Sequence, residues 1–117
     1  MLTREQILEC NDIPSEVVKV PEWGGEVLVR GLTGAQRDWL EASMFTGKRG
    51  NREANMENFR AKIVCLSVSD ENGNPIFTEK DVAALSKKSA LALQRVFNVA
   101  LKLSGLTQEE AEQLTKN

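Results

Sequence analysis

The sequence predicts a small α+β domain, mainly α, in which an N-terminal antiparallel β-hairpin precedes a body of five to six helices. Three observations predict it. Valines at 18, 20, 27 and 29 alternate on either side of Pro21-Glu-Trp-Gly-Gly25, the period-two pattern of a half-buried strand pair. Capping boxes, Thr3-Arg-Glu-Gln6 and Thr33-Gly-Ala-Gln36, each open a stretch of helical periodicity. The segment at 90–104 carries Leu93, Val96, Phe97, Ala100, Leu101 and Leu103 on one side and Gln94, Arg95, Asn98 and Lys102 on the other, a wide apolar face.

Taken in order, the first box starts a short helix over 4–10, which Asn11, Asp12 and Pro14 break. The hairpin occupies about 16–30. Its glycines permit a tight connection and Pro21, lacking a donor, suits a strand end or edge. The second box starts a helix over 34–45 with Ala35, Trp39 and Ala42 on one face and Leu40 and Met44 beside them; Trp39 is expected in the core. Gly47-Lys-Arg-Gly-Asn-Arg52 contains no apolar residue and two glycines, so a mobile loop is expected.

Met56, Phe59, Ile63 and Leu66 then stand three and four apart, and a helix over 55–69 is expected. The β-branched run at 62–68 would suit a strand equally well. Helix is preferred because the stripe continues in phase from Met56. Asp70-Glu-Asn-Gly-Asn-Pro75 reads as a turn, after which Thr78 and Asp81 cap a helix to about 87. Ser89 opens the long segment, Gly105 suits a left-handed close, and Thr107-Gln-Glu-Glu110 begins a last acidic helix to about 114. That helix has only a narrow stripe of Leu106, Ala111 and Leu114, so loose attachment to the body at 33–104 is expected.

The length of 117 residues fits one domain, spanning 1–117. Fifteen basic against seventeen acidic residues leave no global field to draw nucleic acid or a membrane surface, and no apolar run approaches the roughly 20 residues of a membrane span. Cys10 and Cys65 have no paired spacing and no leader that would imply an oxidising compartment, so reduced, buried, structural thiols in a cytoplasmic chain are expected.

Chemistry is hard to find. The chain has no His and no Tyr, which removes the commonest general base and metal ligand. Neither thiol has a base or cation beside it in sequence. Asp70, Asn72, Asn74, Thr78 and Asp81 fall at calcium-loop positions, but Pro75 takes the place that needs glycine and Asp81 that of a bidentate Glu. Gly24, Gly25, Gly31 and Gly34 match no phosphate-loop spacing. Lys48, Arg49 and Arg52 have no aromatic platform for bases and offer only weak, salt-sensitive attraction. No enzyme, cofactor or metal site is expected.

Val18-Lys-Val-Pro-Glu-Trp-Gly24, Val29-Arg-Gly-Leu-Thr-Gly34 with Arg37-Asp38, and Asp70-Glu-Asn-Gly-Asn-Pro-Ile-Phe77 stand in this order before a long Leu/Ala/Phe helix. The run, over about 17–114, resembles the tail assembly chaperones of long-tailed bacteriophages and prophages. The resemblance implies a small, mainly helical, non-catalytic protein of the host cytoplasm. Such a protein binds the tape measure protein, delivers tail tube protein to it and is absent from the mature virion. It leaves a homo-oligomer open, and implies neither membrane nor nucleic-acid partners. Many such phages also make a longer frameshifted form, and a chain stopping at Asn117 fits the short one. A structural tail or head–tail connector protein is the alternative, and a small nucleic-acid-binding regulator the third.

The resemblance carries no fixed binding residues, so partner-binding candidates come from the sequence itself: Trp23, Val27 and Val29 on the hairpin, Leu106 and Leu114 near the C-terminus. Trp23 has two readings. It folds back to cover the helical core, or it stands at the hairpin tip as an exposed anchor while the outer strand offers its edge.

Overall fold

The computed structural model describes residues 1–46, 53–54 and 58–107, the side chains of 45, 46, 53 and 54 excepted. The fold is α+β and mainly α. Helix α1 (Arg4–Glu9) leads into strands β1 (Ser15–Val20) and β2 (Gly25–Arg30), followed by α2 (Gly34–Ser43) and a short antiparallel pair, β3 (Phe45–Thr46) and β4 (Glu53–Ala54). Then come α3 (Phe59–Ser67), β5 (Val68–Ser69), α4 (Val82–Leu85) and α5 (Ala90–Leu103).

Both expected capping boxes form. The Thr3 hydroxyl accepts from Gln6 N at 3.2 Å and the Gln6 carboxamide from Thr3 N at 2.9 Å, and Thr33 and Gln36 repeat the exchange at 3.1 and 2.9 Å. In the hairpin Val18 lies opposite Val27 and Glu16 opposite Val29. The connection is a 3-10 turn, Pro21–Trp23, closed by Gly24 at φ 74°, where a side chain would strain the backbone.

The sheet has a third strand that the helical stripe at 56–66 hides. Helix α3 stops at Ser67, and Val68 and Ser69 switch to extended backbone to pair with Val29 and Leu28. The order β1-β2-β5 makes β2 central, so β1 rather than β2 keeps a free edge. The β-branched content of 62–68 thus serves both states: Ile63 and Val64 stay helical, and only the last valine joins the sheet. Of the expected stripe, Phe59 and Ile63 are buried and Leu66 is partly buried; Met56 lies outside the described residues.

The inward faces of the strands place Val18, Val20, Val29 and Val68 in one buried cluster with Phe59, Ile63 and Val64 of α3 and Leu93, Val96, Phe97, Ala100 and Leu101 of α5. The Phe59 and Phe97 rings meet edge to face with centroids 5.7 Å apart, an arrangement that adds about 0.5–1.5 kcal/mol to the burial itself. Two ion pairs strap the hairpin to α5, one at each end: Glu22 with Arg95 at 3.0 Å and Glu16 with Lys102 at 2.8 Å. On α2 the expected face is rotated. Leu40 and Met44 are buried, Ala35 and Ala42 are exposed, and Trp39 is only partly buried.

Helix α5 ends as a left-handed closure. Leu106 N donates to Leu101 O at 2.8 Å and Gly105 N to Lys102 O at 3.2 Å, which places Leu106 against the end of the helix, 5% exposed. The expected loop at 47–52 and the last helix beyond 107 lie outside the described residues. So does Leu114. Between Thr78 and residue 87 the expected helix divides into a 3-10 turn, Glu79–Asp81, and the single turn α4.

Gly31 joins β2 to the approach of α2 at a point where the chain runs against the end of α5. A Cβ there would stand 2.6 Å from the Leu103 carbonyl oxygen, whereas at Gly34 it would meet open space. Gly31→Ala is therefore expected to lower stability by about 1–3 kcal/mol through forced displacement of backbone. Gly34→Ala, in the first turn of α2, should be neutral or slightly stabilising. Paired urea denaturation curves check both.

Candidate functional site

The described aromatic side chains divide into two groups with different duties. Phe59 and Phe97 are sealed in the core. Trp23, Trp39 and Phe77 pack against that core with one side and keep the other exposed. Each is positioned by a different element: Trp23 ends the 3-10 turn of the hairpin, Trp39 lies on α2, and Phe77 follows the turn after β5.

That last turn is built to place Phe77. The Asp70 carboxylate accepts from the backbone N–H groups of Asn72 and Asn74 at 2.8 and 3.0 Å, the Asx arrangement that lets the chain reverse. Arg30 Nη1 donates to Gly73 O at 2.6 Å, tying the turn to β2. Ser69 then bridges to Pro75, and Phe77 emerges beside α2 and α3. The same Asp70 hydrogen bonds show the calcium-like spacing serving as a turn. Among the described residues no group of three or more acidic, His or Cys side chains is arranged to hold a metal.

Phe77 divides two hollows. The larger, about 390 Å³, is lined mainly by Trp39, Leu66, Pro75 and Phe77, with Gln36 and Glu79 among its polar neighbours. The smaller, about 310 Å³, is lined by Trp23, Phe77, Leu85 and Lys88. Both are open and predominantly apolar, which suits side chains of a protein partner rather than a polar metabolite.

Four of the five candidate residues separate accordingly, Leu114 lying outside the described residues. Trp23 and Val27 are partly buried and keep surface for contact. Val29 is 0% exposed on the central strand and Leu106 closes α5, so both side chains belong to the core. Phe77, outside any regular element, is not among the sequence candidates, and Trp39, expected in the core, is only partly buried. The available signal for Trp39 was its pair of alanine neighbours, Ala35 and Ala42, too small to bury a face.

Cys65 is the thiol that lines the larger hollow, and its Sγ donates to Thr78 O at 3.1 Å. Burial, with smaller contributions from Asp81 and Glu79, pushes its thiol pKa up, the opposite of activation. Cys10, expected to be buried, is exposed; both thiols are free.

The family model for phage tail assembly chaperones matches residues 4–116. This chain belongs to the phage tail assembly chaperone family. Among solved structures, the tail assembly chaperone of bacteriophage HK97 is similar, with a TM-score of 0.59 and 15% identity over 85% of this chain and 94% of that one. At that identity the likeness is one of fold. No curated protein matches. No helix among the described residues of this family member is long and apolar enough to cross a membrane.

Thiol chemistry tests the geometry of this face directly. In the native protein at mildly alkaline pH, Cys10 should react at the rate of a free thiol and Cys65 at least tenfold slower, because its thiolate is scarce and shielded. Iodoacetamide labelling followed by peptide mass spectrometry measures both. Equal rates would mean that Thr78 and Phe77 do not cover Cys65.

Proposed function

We propose that this chaperone acts without catalysis in the host cytoplasm. It binds the tape measure protein and brings tail tube subunits to it during tail morphogenesis, then departs before the virion is complete. The observation that carries this reading is the larger hollow. Trp39 and Phe77 are held on the surface by a folded core and turned toward an open apolar space, where large rings gain most by being covered.

A partner segment for such a site has apolar side chains at helical spacing. Three or four of them, laid against Trp39, Leu66 and Phe77, would exclude water from the hollow while the polar residues of the same segment remained outside. Gln36 is already committed, its amide donating to Leu66 O at 3.1 Å and its oxygen accepting from Thr33 N. Glu79 at the rim favours a segment whose flanking charges are basic.

Trp39→Ala is the sharpest test. Because the ring is only partly buried, its loss should cost no more than about 2 kcal/mol of stability, while co-purification with co-expressed tape measure protein should fall at least tenfold. Unchanged co-purification would remove the hollow from the binding surface. Stoichiometric presence of the chain in purified virions, read by mass spectrometry, would contradict a chaperone that departs.

A further inference from the structure

The sheet has a second face, turned away from the valine core. Side chains alternate along a strand, so with Val29 and Val68 in the core their neighbours Leu28, Arg30 and Ser69 lie on the outer side, Ser69 directly opposite Leu28. Arg30 Nη1 crosses this face to donate to Gly73 O at 2.6 Å. Beside that strap is a hollow of about 180 Å³ whose lining includes Arg30, Thr33, Gln36, Ser67, Ser69 and Gly73.

Two groups in this lining lack the partner their burial calls for. Ser69 is 8% exposed, and its Oγ has no hydrogen-bond partner among the described residues, a state that costs stability unless a guest supplies one. Its polar neighbours are committed elsewhere: Ser67 Oγ donates to Val64 O, and the Gln36 carboxamide serves Thr33 N and Leu66 O. Arg30 is partly buried and has no carboxylate within ion-pairing distance among the described residues. Asp70, next to Ser69 in the chain, turns its carboxylate to Asn72 N and Asn74 N and lines a different hollow.

The lining selects the charge of a guest. No acidic side chain borders the hollow. The guanidinium is a fixed fork of donors, always charged, and Thr33, the N-cap of the ten-residue α2, brings the positive end of a helix dipole to the same wall. A cationic guest would be repelled by Arg30, and an apolar one would leave Ser69 without a partner. A neutral polar guest would satisfy Ser69 and leave the charge of Arg30 unanswered. An oxyanion answers both.

We infer that this hollow binds a small oxyanion, which accepts from the Ser69 hydroxyl and the Arg30 guanidinium beside the start of α2. Free phosphate and the carboxylate of an Asp or Glu side chain share this chemistry. Gln36, Leu66 and Pro75 line both this hollow and the one between Trp39 and Phe77, so a side-chain carboxylate would come from a partner segment seated there; that source alone rests on the proposed partner surface. Glu79 borders the larger hollow and not this one, so the segment's basic and acidic residues are selected at different points.

The test is thermal melting of the full chain titrated with sodium phosphate or sodium acetate against sodium chloride, at fixed pH and matched ionic strength. Phosphate should raise Tm along a saturating curve that chloride does not reproduce, and Arg30→Gln should weaken this binding at least tenfold. Because Arg30→Gln also removes the strap to Gly73, Ser69→Ala is the second variant. In chloride its Tm should be unchanged or higher, since an unpartnered hydroxyl has gone, while its phosphate affinity should fall at least threefold. A hydroxyl with a merely structural role would not separate these two readouts. A saturating response to acetate as well assigns the hollow to a carboxylate, and a response to phosphate alone assigns it to the free ion. No saturating rise over chloride with either anion overturns the inference, as does a phosphate affinity in Ser69→Ala equal to that of the unsubstituted protein. No partner protein is present, so the result does not depend on whether Trp39 and Phe77 bind one.

Discussion

One constraint underlies the rest of this structure: a three-stranded sheet buries a single face of valines, and α5 covers that face. Val18, Val20, Val29 and Val68 come from three strands separated by up to fifty residues of chain, and none of them can be dry unless Val96, Phe97, Ala100 and Leu101 lie above them in the same cluster. Helix α3 locks the arrangement from the side through Phe59 on Phe97, and Arg60 stands 5.4 Å above that ring. The ion pairs of Glu22 with Arg95 and Glu16 with Lys102 set register more than stability, because both are close to solvent and surface pairs contribute little. Glu22 is held below the usual carboxylate range, chiefly by its hydrogen bonds from Arg95. That small contribution is present above the ordinary carboxylate pKa and is lost as pH falls through the lowered value.

The exposed aromatic face follows from the same constraint. Since α5 and α3 take the inward side of the sheet, the turn after β5 must carry the chain outward and back, and this delivers Phe77 to the surface between α2 and the hairpin tip. Trp39 and Trp23 flank it from elements fixed by other means, a capping box and a glycine-closed turn. The core thus holds the three rings in place without burying them. Their arrangement is set before any partner arrives, which lowers the ordering cost of binding.

Much of this was legible from local chemistry. The capping boxes, the valine alternation, the apolar side of α5 and the left-handed close at Gly105 are each decided within a few residues, so pattern reading found them. What it missed depends on distant chain. Val68 turns from helix to strand because β2 offers it a free edge, a fact that no window around 62–68 contains. Trp39 looks like core because its size argues for burial, yet only the position of α3 decides which side of α2 is covered. Val29 is a partner-binding candidate on the hairpin by sequence, and the third strand puts it on the central strand with its side chain in the core. Leu106 was assigned to a peripheral stripe because the reversal at Gly105 folds it back onto α5 only in three dimensions. Cys10 was expected in a core because thiols usually are, but α1 has no core beneath it. The family resemblance rests on motif order rather than on any one residue, and it was legible where the exposure of Trp39 and Phe77 was not.

The central claim is that a protein partner covers the Trp39–Phe77 face while the valine core stays intact beneath it. Hydrogen exchange of the chaperone alone and in complex with tape measure protein tests this most directly. The account predicts added protection in α2 and across 74–79 on complex formation, with α5 protected equally in both states. Protection confined to the β1 edge, or exchange in α5 that rises when the partner binds, would contradict it.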